Sequence, residues 1–177
     1  MSYITVEELQ DFAHKYAAAD ELDLQQFIDG AEEAIRNYLG YDPNLIEYTS
    51  IIRSSGGKGL ALKARPIVEL NEIWVGNYKT NEKDFLILDD TNFIEHRALI
   101  PFDKDVLYKV VYKAGFENVP QIIKMTALQI ACLMWESGAG QLAVTSTSFA
   151  DAGTRTFNNF TMDRFLKQID AYRIYVK

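Results

Sequence analysis

The chain has 177 residues, 48% apolar and 24% charged, the make-up of an ordinary globular protein long enough to bury a real core, and its 22 Phe, Tyr and Trp side chains exclude a disordered polymer. The net charge of −7 is uneven: residues 1–50 hold 11 acidic and 2 basic side chains (−9), and residues 51–177 hold 14 and 16 (+2). No basic stripe of the kind a nucleic-acid binder needs is present. Neither a basic n-region nor an apolar h-region opens "MSYITVEELQ", so no secretory signal is expected. The apolar run "IACLMWE" is far too short to span a membrane. The single cysteine, Cys132, allows no internal disulfide, suits a reducing cytosol, and is expected to be a small buried hydrophobe.

The first helix is expected in "ITVEELQDFAHKY". Thr5 is its N-cap and Glu8 its reciprocal partner in a capping box, with Ile4 and Leu9 placed as the hydrophobic staple. Val6, Leu9, Phe12, Ala13 and Tyr16 form its apolar stripe. The second helix runs from a capping Asp20 to Gly40, which suits the left-handed position after a helix end. Leu24, Phe27, Ile28, Ala31, Ile35, Tyr38 and Leu39 make its buried face, and Glu32 and Arg36 are spaced to pair on the wet side. The short "AAAD" link between the two predicts an antiparallel helical hairpin.

From residue 46 to 113 the apolar period changes to two. "IEYTSIIR", "GLALKA", "IVELNEIWVG", "DFLILD" and "VLYKVVYKAG" are expected strands, separated by the turn signals "SSGGKG", "ARP", "GNYKTNEKD" and "PFDKD". In the last strand Val106, Tyr108, Val110 and Tyr112 face one way and Leu107, Lys109, Val111 and Lys113 the other, which predicts an antiparallel sheet with one buried face. Pro120 opens a third helix ending near Glu136. Only Gln121, Lys124 and Gln129 give it a wet stripe, so it is expected to be the central helix, with Ile123, Leu128, Ala131, Cys132 and Trp135 in the core. A polar arm follows from about residue 138, and "TMDRFLKQIDAYRIYV" is expected as a last helix. The fold class expected is α+β: one domain over 1–177, with a mainly helical core and an inserted antiparallel β segment at about 46–113.

No catalytic constellation emerges. "SSGGKG" lacks the P-loop order and a following helix, and is expected to be a flexible hairpin tip. His14 and His96 sit in different elements, and neither has a second ligand at metal spacing. "DDTNFIEH" and "DKD" fit no ligand pattern and are expected to be solvated turns. No G-x-S-x-G is present. An enzyme is therefore not expected, nor a cofactor or metal.

Four stretches taken together carry more information: "AEEAIRNYLGYDP", "LKARPIVELNEIWVGN", "VVYKAGFENVPQIIKMTALQIACLMWE" and "FLKQIDAYRIYV". Their order resembles the head–tail connector (adaptor) proteins of tailed double-stranded DNA phages and prophages. The shared elements are an E-x-x-I-x-x-Y-L-G helix end, an R-P-[IV] strand start, a Y-x-A-G-[FY]-x-x-[VI]-P passage into a long apolar helix, and a C-terminal Y-R helix. The match covers roughly residues 4–136, with a weaker echo at 162–175. The resemblance implies a structural virion protein at the head–tail interface, held in the host cytoplasm before assembly. It implies a ring below the portal, commonly twelvefold, that passes genomic DNA without reading its sequence and docks the stopper or tail-completion protein. In that family the C-terminal region reaches the portal, which points to Arg164, Phe165, Ile169, Tyr172, Arg173 and Tyr175 as partner contacts. The acidic first 50 residues leave open a second reading, an acidic protein-binding module such as a DNA-mimic inhibitor.

Overall fold

The structure is a computed structural model that describes residues 2–13, 21–89, 91–136, 146–149, 153–156 and 162–174. The chain divides into two compact units: Met1–Tyr38 with Gln121–Ala171, and Leu39–Pro120 with Tyr172–Lys177.

The first unit is built mainly from helices. Helix α1 (Val6–Ala13) carries the expected capping box. The Thr5 N–H donates to Glu8 Oε2 at 2.9 Å and the Glu8 N–H to Thr5 Oγ1 at 3.1 Å. Ile4 and Leu9 are both buried. Helix α2 (Glu21–Leu39) ends as expected, with Gly40 at φ +84°. Its stripe Leu24, Ile28, Ala31, Ile35 and Leu39 is fully buried, each large side chain worth about 1.5–3 kcal/mol of burial. Helix α3 (Gln121–Glu136) buries Ile123, Ala127, Leu128, Ile130 and Ala131, while Cys132 and Trp135 are half-buried. Trp135 meets Phe27 edge-on at 5.4 Å, and the Thr126 hydroxyl donates back to the Ile122 carbonyl at 2.8 Å.

Glu32 departs from expectation. It is buried, not on the wet face. Its Oε1 accepts from the Ser2 hydroxyl at 2.7 Å and the Tyr3 N–H at 2.8 Å, and Arg36 lies 3.6 Å from Oε2. The carboxylate thus ties the N-terminal strand of chain to α2, a role that i, i+4 spacing alone cannot reveal. α1 packs against α3, and the link on which the expected α1–α2 hairpin turns, including His14 and Tyr16, lies outside the described residues. The arm contributes strands β8 (Ser146–Phe149) and β9 (Gly153–Thr156), which among the described residues pair with each other alone. The last helix is broken: α4 covers Met162–Leu166, and a 3-10 turn covers Lys167–Tyr172. Both are anchored by buried Leu166 and Ile169.

Among the described residues the second unit holds seven strands: β1 (Ile46–Arg53), β2 (Gly59–Ala61), β3 (Ile67–Val75), β4 (Tyr78–Thr80), β5 (Phe85–Ile87), β6 (Phe93–His96) and β7 (Leu107–Ala114). They form two sheets, β1-β7-β3-β4 and β2-β6-β5, with every neighbouring pair antiparallel. The alternation in β7 is as expected, with Tyr108, Val110, Tyr112 and Ala114 buried and Leu107, Lys109 and Lys113 exposed. The expectation of a mainly helical core is corrected. Leu60, Ile67, Ile73, Phe85, Ile94 and the inner side chains of β7, joined by Leu62, Ala64 and Phe102 from the connecting segments, form a core that the strands chiefly supply, because period-two alternation gives a sheet its own apolar face. Two strands went unrecognised in the sequence. β4 lies within an expected turn, and β6, the middle strand of the smaller sheet, lies within "DDTNFIEH". Strands of three or four residues are too short to display a period.

Candidate functional site

Three of the motif segments quoted from the sequence, "GYDP", "RP" and "AGF", lie in the second unit. Gly115 sits at φ +109°, and a Cβ there would run into the Asn44 carbonyl oxygen. Only glycine lets the chain pass. Its N–H donates to the Pro66 carbonyl at 3.0 Å, the Phe116 N–H to the Pro43 carbonyl at 2.8 Å, and the Leu45 N–H to the Phe116 carbonyl at 3.1 Å. "GYDP", "RP" and "AGF" therefore share one backbone hydrogen-bond knot.

Tyrosines complete the knot. The Asp42 N–H donates to Tyr48 Oη at 2.9 Å, and the Tyr48 hydroxyl donates to the Asp42 carbonyl at 3.1 Å. Asp42 Oδ1 accepts from the Asn44 N–H at 2.9 Å, closing an Asx turn. Tyr48 stacks on Tyr112 at 5.7 Å. Tyr112 Oη lies 3.1 Å from Ser50 Oγ and accepts from the Lys63 N–H at 3.0 Å. The "YR" segment joins too: the Tyr41 hydroxyl donates to the Tyr172 carbonyl at 3.0 Å, Tyr172 meets Phe116 edge-on at 5.8 Å, and the Ile174 N–H donates to the Leu39 carbonyl at 3.2 Å. Burial pushes the Tyr48 phenol up to about 12. Burial likewise raises Tyr112, and raises Tyr41 beyond the ordinary phenol range despite the nearby Arg65 charge. These phenols stay protonated and serve as donors and acceptors that hold four distant segments together.

The "SSGGKG" loop is a tethered crossover between the two sheets, not a hairpin tip: β1 pairs with β7 and β2 with β6. Ser54 Oγ accepts from the Gly56 N–H at 3.0 Å, and the Gly57 carbonyl accepts from the Phe102 N–H at 2.9 Å. The His96 ring lies edge-on to Phe85 at 5.3 Å, and its Nδ1 accepts from the Ala98 N–H at 3.1 Å. It borders a cavity of about 230 Å³ between Val75, Phe85, Phe102 and Tyr108. Among the described residues no cluster of three His, Cys, Asp or Glu could hold a metal, and no helix is long and apolar enough to cross a membrane.

Of the expected partner contacts, Ile169 is fully buried, Phe165 half-buried, and Tyr172 half-buried in the tyrosine knot. Arg164 and Arg173 are exposed, and Tyr175 lies outside the described residues. The 3-10 turn removes the single face that a continuous α-helix would have displayed.

A surface that the sequence did not single out is the outer face of the larger sheet. Exposed Glu47, Thr49, Ile51 and Arg53 of β1 stand beside Lys113, Lys109 and Leu107 of β7. Lys113 pairs with Glu69 at 2.9 Å and Lys79 with Glu72 at 2.7 Å. The Lys79 hydrogen bond holds the Glu72 carboxyl below its usual range, and Glu69 raises Lys113. Both Ile51 and Ile52 are apolar, so no hydropathy signal said which would face out; Ile51 does, at 63% exposure.

No protein-family model matches the chain, and no curated protein matches it. Solved structures do. A chain in the neck of an empty gene transfer agent (GTA) particle, computed with C6 symmetry, aligns with a TM-score of 0.67 at 13% identity, over 99% of this chain and 92% of that one. A chain in the virion of the native GTA particle gives 0.67 at 14% identity with the same coverage. One in the neck of the native particle, computed with C12 symmetry, gives 0.62 at 14% identity over 97% and 90%. The fold of this chain is therefore, from end to end, a fold found in the necks of GTA particles.

Proposed function

We propose that the protein is a structural component of the neck of a phage or phage-like particle, a head–tail connector that performs no catalysis and binds no cofactor. It forms a ring below the portal, extends the DNA channel and docks the stopper or tail-completion protein. The observation that carries this reading is the full-length likeness to neck chains of GTA particles. Two further features support it. The connector-like motifs meet in one knot of packing and hydrogen bonds, which is what motifs of a scaffold do. The uneven charge, −9 over residues 1–50 and +2 over the remainder, suits head-to-tail contacts between copies. The exposed Arg164 and Arg173 are the members of the C-terminal set best placed to meet the portal, Arg being a residue type enriched in interface hot spots.

Light scattering of the purified chain with and without portal protein tests this. A discrete ring is expected, at least with portal present, and its lateral contacts should weaken as salt rises and the Debye length shrinks. A strict monomer under both conditions contradicts the reading.

A further inference from the structure

β1 is the open edge of the larger sheet. Natural proteins blunt such edges with proline, lysine, bulges or very short strands. β1 has no proline, lysine or bulge, and its charged side chains, Glu47 and Arg53, stand near its two ends. It is eight residues long and keeps a continuous register with β7 from Ile46↔Ala114 to Arg53↔Leu107. By contrast, β3 on the other side of β7 is interrupted by two register shifts. The Ser54 N–H donates to the Val106 carbonyl at 3.0 Å, which places the even-numbered residues of β1 in the hydrogen-bonded pairs with β7. The main-chain groups of Glu47, Thr49, Ile51 and Arg53 therefore point away from the sheet. The side chains of these residues are also exposed, so nothing described in the chain covers this edge.

The second unpartnered element is the β8–β9 hairpin. Its two strands, Ser146–Phe149 and Gly153–Thr156, form a sheet of two, with no third strand among the described residues. A lone two-stranded hairpin is marginally stable in water. Among the described residues no other strand pairs with either of its outer edges.

A cyclic ring needs heterologous contacts, in which one surface of a copy meets a different surface of the next. The open edge of β1 and the open hairpin are two different surfaces with the same unmet requirement. We propose that in the assembled ring the β8–β9 hairpin of one copy adds to the β1 edge of its neighbour, extending the four-stranded sheet across the subunit boundary. The occupant of the β1 edge is thus a second copy of this chain. Strand addition supplies main-chain hydrogen bonds as the adhesive. It also accounts for an unblunted edge in a protein that must stay soluble before assembly: the edge is kept for the neighbour. This inference rests on the ring reading above.

Two experiments on the full-length chain test it. In a Cys132→Ser background, Thr49→Cys in one tagged copy and cysteines introduced singly along Ser146–Phe149 in another are mixed with portal protein and oxidised. Disulfides between differently tagged copies, at alternate hairpin positions only, are expected. Disulfides only within one chain, or only to portal with a portal cysteine, overturn the proposal. Separately, Ile51→Pro removes an N–H that is unused in the isolated chain, so its circular dichroism should match wild type. Its self-association should weaken by on the order of tenfold or more, about 1.4 kcal/mol per factor of ten. A folded Ile51→Pro chain that assembles like wild type overturns strand addition while leaving the ring itself standing. If instead the wild-type chain never assembles, the ring reading has failed, and this inference fails with it.

Discussion

The two units solve the same problem by different means. The helical unit is held by apolar stripes that each helix carries in its own sequence: Leu24, Ile28, Ala31 and Ile35 on α2, Ile123, Ala127, Ile130 and Ala131 on α3. Its most prominent buried polar contact is the Glu32 carboxylate that captures the N-terminal segment. The β unit also has an apolar core, but its ordering depends on a few groups with partners far along the chain. Gly115 threads beside Asn44, and Tyr41, Tyr48 and Tyr112 use their hydroxyls to fix backbone at Tyr172, Asp42 and Lys63. Distributed apolar burial degrades gradually when trimmed, whereas a knot of specific contacts fails when one member is lost.

The two tryptophans separate the units experimentally, because Trp135 belongs to α3 and Trp74 to β3. Single-tryptophan variants then report each unit alone. The largest effect is expected from Gly115→Ala, which must move the Asn44 backbone to place its Cβ and also adopt a left-handed φ. A loss above about 4 kcal/mol is expected, or failure to fold, with the Trp74 signal lost at least as early as that of Trp135. A loss under about 1 kcal/mol would show that the knot is pliable and the contrast mistaken.

Leu128→Ala in the helical unit should cost about 2–5 kcal/mol in chemical denaturation, according to how far the site collapses. It should act first on the Trp135 signal. Equal and simultaneous change at both tryptophans would mean that the two units unfold as one cooperative body, which would remove the energetic distinction between them while leaving the structural one.

The smallest effect is a pH dependence confined to alkaline solution. Tyr48 is raised to about 12 by burial, while in the unfolded chain it titrates near about 10. The folded state keeps its proton longer, so the stabilisation is fully present below about 10 and is lost as pH rises towards about 12. Tyr41 and Tyr112, also raised by burial, add in the same direction. Denaturation midpoints followed through Trp74 should therefore fall over that window, and Tyr48→Phe should flatten the fall. A profile that is flat from neutral pH through the window would show that these phenols are not confined as described.

Much of this molecule was legible before any coordinates. The Thr5–Glu8 capping box, the end of α2 at Gly40, the limits of β1 and the alternation along β7 all follow from interactions within a few residues, and local sequence states them directly. The connector-like motifs were legible as a pattern but not as a cause. "YDP", "RP" and "AGF" lie at positions 41–43, 65–66 and 114–116, and only the folded chain shows that they are parts of one knot. The burial of Glu32 depended on where residues 2–4 return, which i, i+4 spacing does not encode. The split of the C-terminal set depended on a 3-10 turn, which sends Ile169 into one unit and Tyr172 into the other. Which of Ile51 and Ile52 faces solvent was undecidable from hydropathy, since both are apolar and a one-residue slip reverses a strand. The sequence by itself determined most of the longer elements, because their signals are short-range. The tertiary structure alone decided which groups meet and which sheet edge stays open, because those outcomes depend on contacts between residues distant in the chain.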